Sequence, residues 1–208
     1  MDETTGASIA DSSGNGNSGT WEDGSGDSVA EETTAGIIGT ALTLDGTDDY
    51  IIIPDSDTLD VSGSMTTAAW VRRESNNQGG ILCKQEHLGN ENNTNYCLHY
   101  YPSNRARFII ADGAGSDDVG HYITHDSDWH HIVATTDGTN MTMYIDGVQV
   151  AQDTQAYPSI TTGLSLQIGS WNTVSGNSFG KYNATIDEVR LYDRTLSAAE
   201  VELLYNLR

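Results

Sequence analysis

The chain has 208 residues, enough for one large domain or two small ones, and as one unit it would bury roughly 70% of its unfolded surface. Thirty acidic residues against nine basic give a formal net charge of -21, which argues against nucleic acid and against an anionic membrane as partners, since both reward positive charge. No stretch approaches the roughly 18 apolar residues of a membrane span, so membrane insertion is not expected.

The acidity is scattered along the chain, and the only lysines are Lys84 and Lys181. That pattern suits a protein soluble at very high salt, where self-repulsion is screened; the alternative is a merely acidic extracellular protein.

Residues 1–36 are rich in Gly, Ser, Thr and Asp, with Ile9, Trp21 and Val29 as the large apolar residues. They read as a loop-rich segment packed on or pinned to the rest, and no secretory leader is read in them. Within this segment Asp11, Ser13, Asn15, Gly16 and Glu22 stand at the spacing of an EF-hand calcium loop. An EF-hand needs a helix on each side, and the residues before Asp11 offer no helical face, so that reading fails.

Strands follow. Ala41–Leu44 alternates and stops at Asp45-Gly46; Tyr50–Ile53 stops at Pro54; Met65–Arg73 sets Ala68, Trp70 and Arg72 against Thr67, Ala69 and Val71. Further strands are predicted over 80–84, 96–101, 106–111, 120–124, 129–136, 141–145, 148–151, 164–169 and 185–192. Met141–Val150 reads as a hairpin, with Asp146-Gly147 in the two turn positions that need positive φ. About a dozen short strands separated by glycine and aspartate turns predict an all-β, two-sheet antiparallel sandwich or jelly roll in a single domain, 1–208.

One helix closes the chain. Ser197 with Glu200 forms a capping box, Leu196 and Val201 a hydrophobic staple, and Val201, Leu204 and Tyr205 one apolar stripe ending near Asn206. Cys83 and Cys97 lie in two apolar runs that look like neighbouring antiparallel strands. They are either bridged across the strands, which would contribute about 3 kcal/mol, or two buried free thiols.

Four blocks, in order, resemble the laminin-G-like (concanavalin A-like) jelly-roll family. They are the turn Asp11–Asn17, the run Leu44–Ile51, the pair Trp129–Ala134 with Met143–Gly147, and Ile186–Tyr192 leading into Leu196–Val201. The resemblance spans residues 2–206 and implies a jelly roll with a short C-terminal helix. It also implies an apolar strand running into Asp2-Glu3, which Met1 replaces here. By the same resemblance a calcium ion is shared by Asp11 and Asn15 with Asp45 or Asp48 and with Asp187. The alternative is that Asp11 and Asn15 cap turns and that Asp187 bonds Arg190 or an amide.

Function is less constrained, because this fold hosts many roles. Glycosidases on related folds carry alternating carboxylates on one strand. No Glu-x-Asp-x-x-Glu pattern is present, and the adjacent Asp187 and Glu188 point to opposite faces, so no enzyme is expected. His130-His131 reads as framework for the same reason. Tyr96, His99, Tyr101, Trp171 and Asn172 are the candidate sugar-contacting residues, and the loops 85–95, 112–120 and 170–183 the variable rim. Sequons stand at Asn92, Asn140 and Asn183.

The expectation is a non-enzymatic extracellular binding module, lectin-like or adhesin-like. It would recognise a glycan or surface glycoprotein at a cell or virion surface in high salt. The alternative is a structural protein of a virion or surface appendage that self-assembles as a homo-oligomer.

Overall fold

The computed structural model of the chain describes residues 7–24, 32–85, 94–101, 104–155, 157–158, 163–171 and 180–208. In chain order the strands are β1 (Ser8–Ile9), β2 (Gly19–Glu22), β3 (Thr33–Ala35), β4 (Thr40–Asp45), β5 (Tyr50–Ile53), β6 (Ser64–Arg73), β7 (Gly79–Gln85) and β8 (Thr94–Tyr101). Then come β9 (Arg105–Ala111), β10 (Ser116–Tyr122), β11 (Trp129–Asp137), β12 (Asn140–Ile145), β13 (Val148–Thr154), β14 (Leu166–Ile168) and β15 (Asn183–Tyr192), closed by the helix α1 (Ala198–Asn206).

Two antiparallel sheets face each other. One has eight strands in the order β1-β2-β5-β14-β7-β8-β9-β10, the other seven in the order β13-β12-β11-β6-β15-β4-β3. The two-residue period decides what lies between them. On β8, Tyr96, Leu98 and Tyr100 join the core, while Cys97, His99 and Tyr101 take the opposite face. On β6, Met65, Ala69 and Val71 point inward, whereas Ala68 belongs to the cluster under α1.

Pairing distant strands needs more than apolar alternation. Lys84 is fully buried and bonds Asp55, Asp60 at 3.1 Å and the Leu164 carbonyl at 2.9 Å, and the Tyr96 hydroxyl donates to the Leu59 carbonyl at 3.0 Å. Together they tie the loop after β5 to the strands β7 and β8. The predicted hairpin turn is present: Asp146 and Gly147 have φ of 52° and 79°.

The helix starts where its capping box places it, with Ser197 and Glu200 bonded reciprocally. It lies over the outer face of the seven-stranded sheet. Val201 and Leu196 pack there with Ala68, Val133 and Tyr144, and Tyr205 stacks on Trp70 with ring centroids 5.5 Å apart. Fully burying a residue such as Val201 contributes roughly 1.5–3 kcal/mol. Among the described residues no helix covers the outer face of the eight-stranded sheet.

Two expectations change. The amino-terminal segment is not only loop: β1, β2 and β3 lie in it, with Ile9 and Trp21 buried in the core. These strands are held by register, as in Trp21 opposite Ile51, rather than by a pattern of their own. The strand expected over 120–124 runs instead over Ser116–Tyr122, because its polar start is paired residue for residue with β9.

Candidate functional site

The outer face of the eight-stranded sheet is built from the outward residues of β7 to β10, of which Cys83, Cys97, His99 and Ile109 are buried while Tyr101 and Tyr122 towards its edge are exposed. Cys83 and Cys97 are register partners and are joined in a disulfide. With Ile109 and Trp171 they form a small apolar cluster apart from the main core. Trp171 lies close because two glycines make room. A Cβ on Gly80 would come within 2.4 Å of the Ser170 backbone, and one on Gly180 within 1.9 Å of Trp171 Nε1. Gln85 fixes the tryptophan's backbone, donating to its carbonyl at 2.9 Å.

Next to this cluster the side chains become polar, and towards the sheet edge they become exposed. The His99 ring meets Trp171 edge-on at 5.0 Å and Tyr101 at 5.9 Å. In register across the edge strands, Tyr101 lies opposite Arg105 and Arg105 opposite Tyr122. The two tyrosines are 45% and 67% exposed, so an arginine is flanked by two rings open to solvent. Arg105 is tied to Asp118 at 2.7 Å, and Arg107, which lies over the Tyr101 ring at 5.5 Å, reaches the same carboxylate at 3.1 Å. Burial alone would raise Asp118, but the two guanidiniums hold its carboxyl below the usual range. The row therefore offers flat ring faces beside a fixed guanidinium, which suits a ligand carrying both C–H faces and oxygens.

Of the five residues proposed for ligand contact, His99, Tyr101 and Trp171 come together here. Tyr96 does not, and this is a correction: it has no exposed surface, because the strand alternation turns it into the core. Asn172 lies outside the described residues, as do Asn92 and most of the loop 85–95. Tyr122 was missed. The signal is the register with Tyr101, which a single strand's pattern does not carry.

The five residues nominated for a shared calcium do not converge. Asp11 accepts the amides of Ser13 and Asn17, each at 2.9 Å; burial opposes these bonds, yet its carboxyl stays below the ordinary range. Asn15 donates its amide to the Ser13 hydroxyl at 3.2 Å. Asp45 accepts the Thr47 and Asp48 amides at 2.6 and 3.3 Å. Asp187 is fully buried and accepts amides of Ile37, Ile38 and Glu188 at 2.8, 3.1 and 2.8 Å. Each is closing a turn or a crossing.

A different acidic group forms around Asp48. Its carboxylate lies with those of Asp23 and Asp49, all within 4.8 Å of one another, the one such group of three among the described residues. Asp49 is 3% exposed; burial, with Asp45, Glu32 and Asp23 nearby, pushes its carboxyl up to about 7. Lys181 sits with its ammonium 3.0 Å from the centre of the Tyr50 ring, and burial pulls it down to about 8 against the attraction of Asp48, Asp49 and Glu22. Three carboxylates this close together suit a hard cation that takes oxygen ligands.

The histidine pair behaves as framework. His130 bonds Asp146 at 2.8 Å and is raised by it, while His131 is buried beside the stacked Trp70 and Tyr205 rings, and burial holds it down at about 4.

Together these features define a class: an antiparallel jelly-roll sandwich with a helix over one outer face and, among the described residues, no helix over the other. The chain belongs to the concanavalin A-like lectin/glucanases superfamily, whose description matches residues 45–202. Among solved structures, it resembles domain 4 of AbnA, a GH43 extracellular arabinanase from Geobacillus stearothermophilus, determined in complex with arabinotriose. The two are 22% identical, each chain is covered to 97%, and the TM-score is 0.73. It also resembles the binding domain of botulinum neurotoxin serotype G, at 18% identity and a TM-score of 0.71 over 95% of this chain and 48% of that one. A third likeness is the binding domain of Paraclostridial Mosquitocidal Protein 1, at 16% identity and 0.73 over 98% and 52%. The chain thus spans about half the length of these toxin binding domains. No curated protein sequence matched the chain.

Proposed function

We propose that the chain is a non-enzymatic binding module that takes a glycan, free or on a surface glycoprotein, across Tyr101, Arg105 and Tyr122. His99 and Trp171 support that row from the side. The observation that carries this reading is the pair of exposed tyrosines flanking Arg105 at the edge of the eight-stranded sheet. Sugar rings stack on aromatic faces, and a guanidinium donates to their oxygens. Two kinds of relative support a binding role: an arabinanase domain solved with arabinotriose, and toxin binding domains.

The setting we propose is extracellular and saline, because a net charge of -21 is tolerated best where salt screens it. We propose calcium as the ion for Asp23, Asp48 and Asp49, with a structural role pinning the segment around β2. A catalytic carboxylate pair is disfavoured by Asp187, whose oxygens accept three backbone amides, and by Glu188, which bonds Arg190.

The test is a glycan array probed in high salt with the wild type, Tyr101→Ala and Tyr122→Ala. Retained glycans that each substitution weakens by about tenfold support the reading. An array without hits, or hits indifferent to both substitutions, removes it.

A further inference from the structure

Arg73 ends the strand β6 and, two residues after Val71, shares its inward face. Its guanidinium lies over the Tyr100 ring, 4.2 Å from the centroid, and the Tyr182 ring centroid is 5.7 Å from that of Tyr100. Gly79 makes the room: it stands opposite Tyr100 in register, and a Cβ there would collide with Tyr182. The arginine is 4% exposed, and both tyrosines are fully buried.

This group holds donors without acceptors. Arg73 Nη2 donates to Asn104 Oδ1 at 2.9 Å and to Asn76 Oδ1 at 3.4 Å, but its Nε and Nη1 are buried with no hydrogen-bond partner among the described residues. The Tyr100 and Tyr182 hydroxyls are likewise buried without a partner there. Among the described residues no carboxylate pairs with the guanidinium; Asp126 and Asp146, whose charge is felt at Tyr100, both bond His130 instead. Nor do the phenols supply a counter-charge, since burial pushes both up and keeps them as O–H donors. A buried cation ringed by orphaned donors is costly unless something negative completes it.

We propose that Arg73, Tyr100 and Tyr182 hold a halide ion, chloride in a chloride-rich medium. A water molecule could accept two of these hydrogen bonds but would leave the guanidinium charge uncompensated, whereas a halide accepts from all four atoms and neutralises it. A sulfate, a phosphate or an acidic sugar could reach the buried hydroxyls only by unpacking the core. A single ion needs only the Asn76 and Asn104 side chains to turn aside, and Asn76 is exposed. The weakly hydrated guanidinium also suits a weakly hydrated anion. A net charge of -21 opposes any anion, so the site fills only in concentrated salt. Tyr100 faces the core while Tyr101 faces outward, so this ion and the glycan row stand or fall separately.

The test is thermal unfolding at one sodium concentration and one ionic strength, with chloride replaced stepwise by gluconate, for the wild type, Tyr182→Phe and Arg73→Met. Gluconate screens charge equally but is too large to enter, and reading the wild type against each variant cancels its effect on the solvent. The wild type is expected to gain about 3–5 °C per tenfold rise in chloride once the site begins to fill, Tyr182→Phe a smaller amount and Arg73→Met nothing. A crystal grown in bromide should show an anomalous peak beside Arg73 Nε and Nη1. Should Arg73→Met not fold, Tyr182→Phe and the bromide peak decide. Equal chloride responses in the wild type and Tyr182→Phe would overturn the proposal, as would a melting temperature set by ionic strength alone; either result leaves the salt effect to screening. So would a crystal with water and no bromide beside Arg73.

Discussion

Replacing Asp49 by Asn should stabilise the protein at alkaline pH and flatten its response to pH. The Asp49 carboxyl is 3% exposed and is pushed up to about 7 by burial and by Asp45, Glu32 and Asp23, from an ordinary value of 3.8. Between those two values the folded chain keeps a proton that the unfolded chain has lost. Stability therefore falls as pH rises from about 4 through 7, by up to roughly 4 kcal/mol at about 1.4 kcal/mol per pKa unit. The asparagine carbonyl can still accept the Asp45 amide, which lies 2.8 Å from the aspartate oxygen, so the turn keeps its bond. In a chain of this size about 4 kcal/mol corresponds to a melting temperature roughly 10 °C higher at pH 8 and little changed at pH 4. The assay is thermal unfolding from pH 4 to 8 in chelator at fixed high salt. His131, held down at about 4 by burial, runs the other way, gaining stability as pH rises from about 4 through its unfolded value of 6.5. For that reason the difference between wild type and variant is the quantity to read. A difference that does not grow with pH would refute the reasoning. Calcium favours the ionised carboxyl, so it should reduce the wild-type loss at pH 8 and do nothing for Asp49→Asn.

Lys84→Met should destabilise the fold by about 3 kcal/mol, because it strands Asp60 and the Leu164 carbonyl around a buried apolar tip; chemical denaturation measures it, and a cost under about 1 kcal/mol would show the ion pair to be dispensable. Reducing the Cys83–Cys97 bond, which closes a separation of 14 residues, should lower stability by about 3 kcal/mol, read as a fall in melting temperature with reductant that the double Ser variant reproduces. Reduction should also weaken glycan retention, since the bond underlies the Trp171 cluster; unchanged retention would detach that cluster from the site.

Much of the sandwich is legible from the sequence because alternation and turn residues act locally. The helix is legible for the same reason, through Ser197 and Glu200. What escapes is whatever depends on partners distant in the chain. The strand around Trp21 is four residues long and earns its place only by lying against Ile51. On β8 every residue from Tyr96 to Tyr101 is aromatic or apolar, so a period of two separates Tyr96 from His99 and Tyr101 but does not say which set faces inward. Tyr122 joins the site through two successive registers, and Asp23 joins Asp48 and Asp49 from a segment that reads as polar loop. Asp187 looks like a ligand by residue type, and its burial against the Ile37 and Ile38 amides emerges only in three dimensions.

The proposed glycan site is the edge of the eight-stranded sheet at Tyr101 and Tyr122. The most direct measurement is calorimetric titration of the strongest array glycan into the wild type and into the Tyr101→Ala, Tyr122→Ala double variant, with melting temperatures recorded alongside. The expected result is saturable binding that the double variant weakens by about a hundredfold at an unchanged melting temperature. Equal affinity in the two proteins would contradict it.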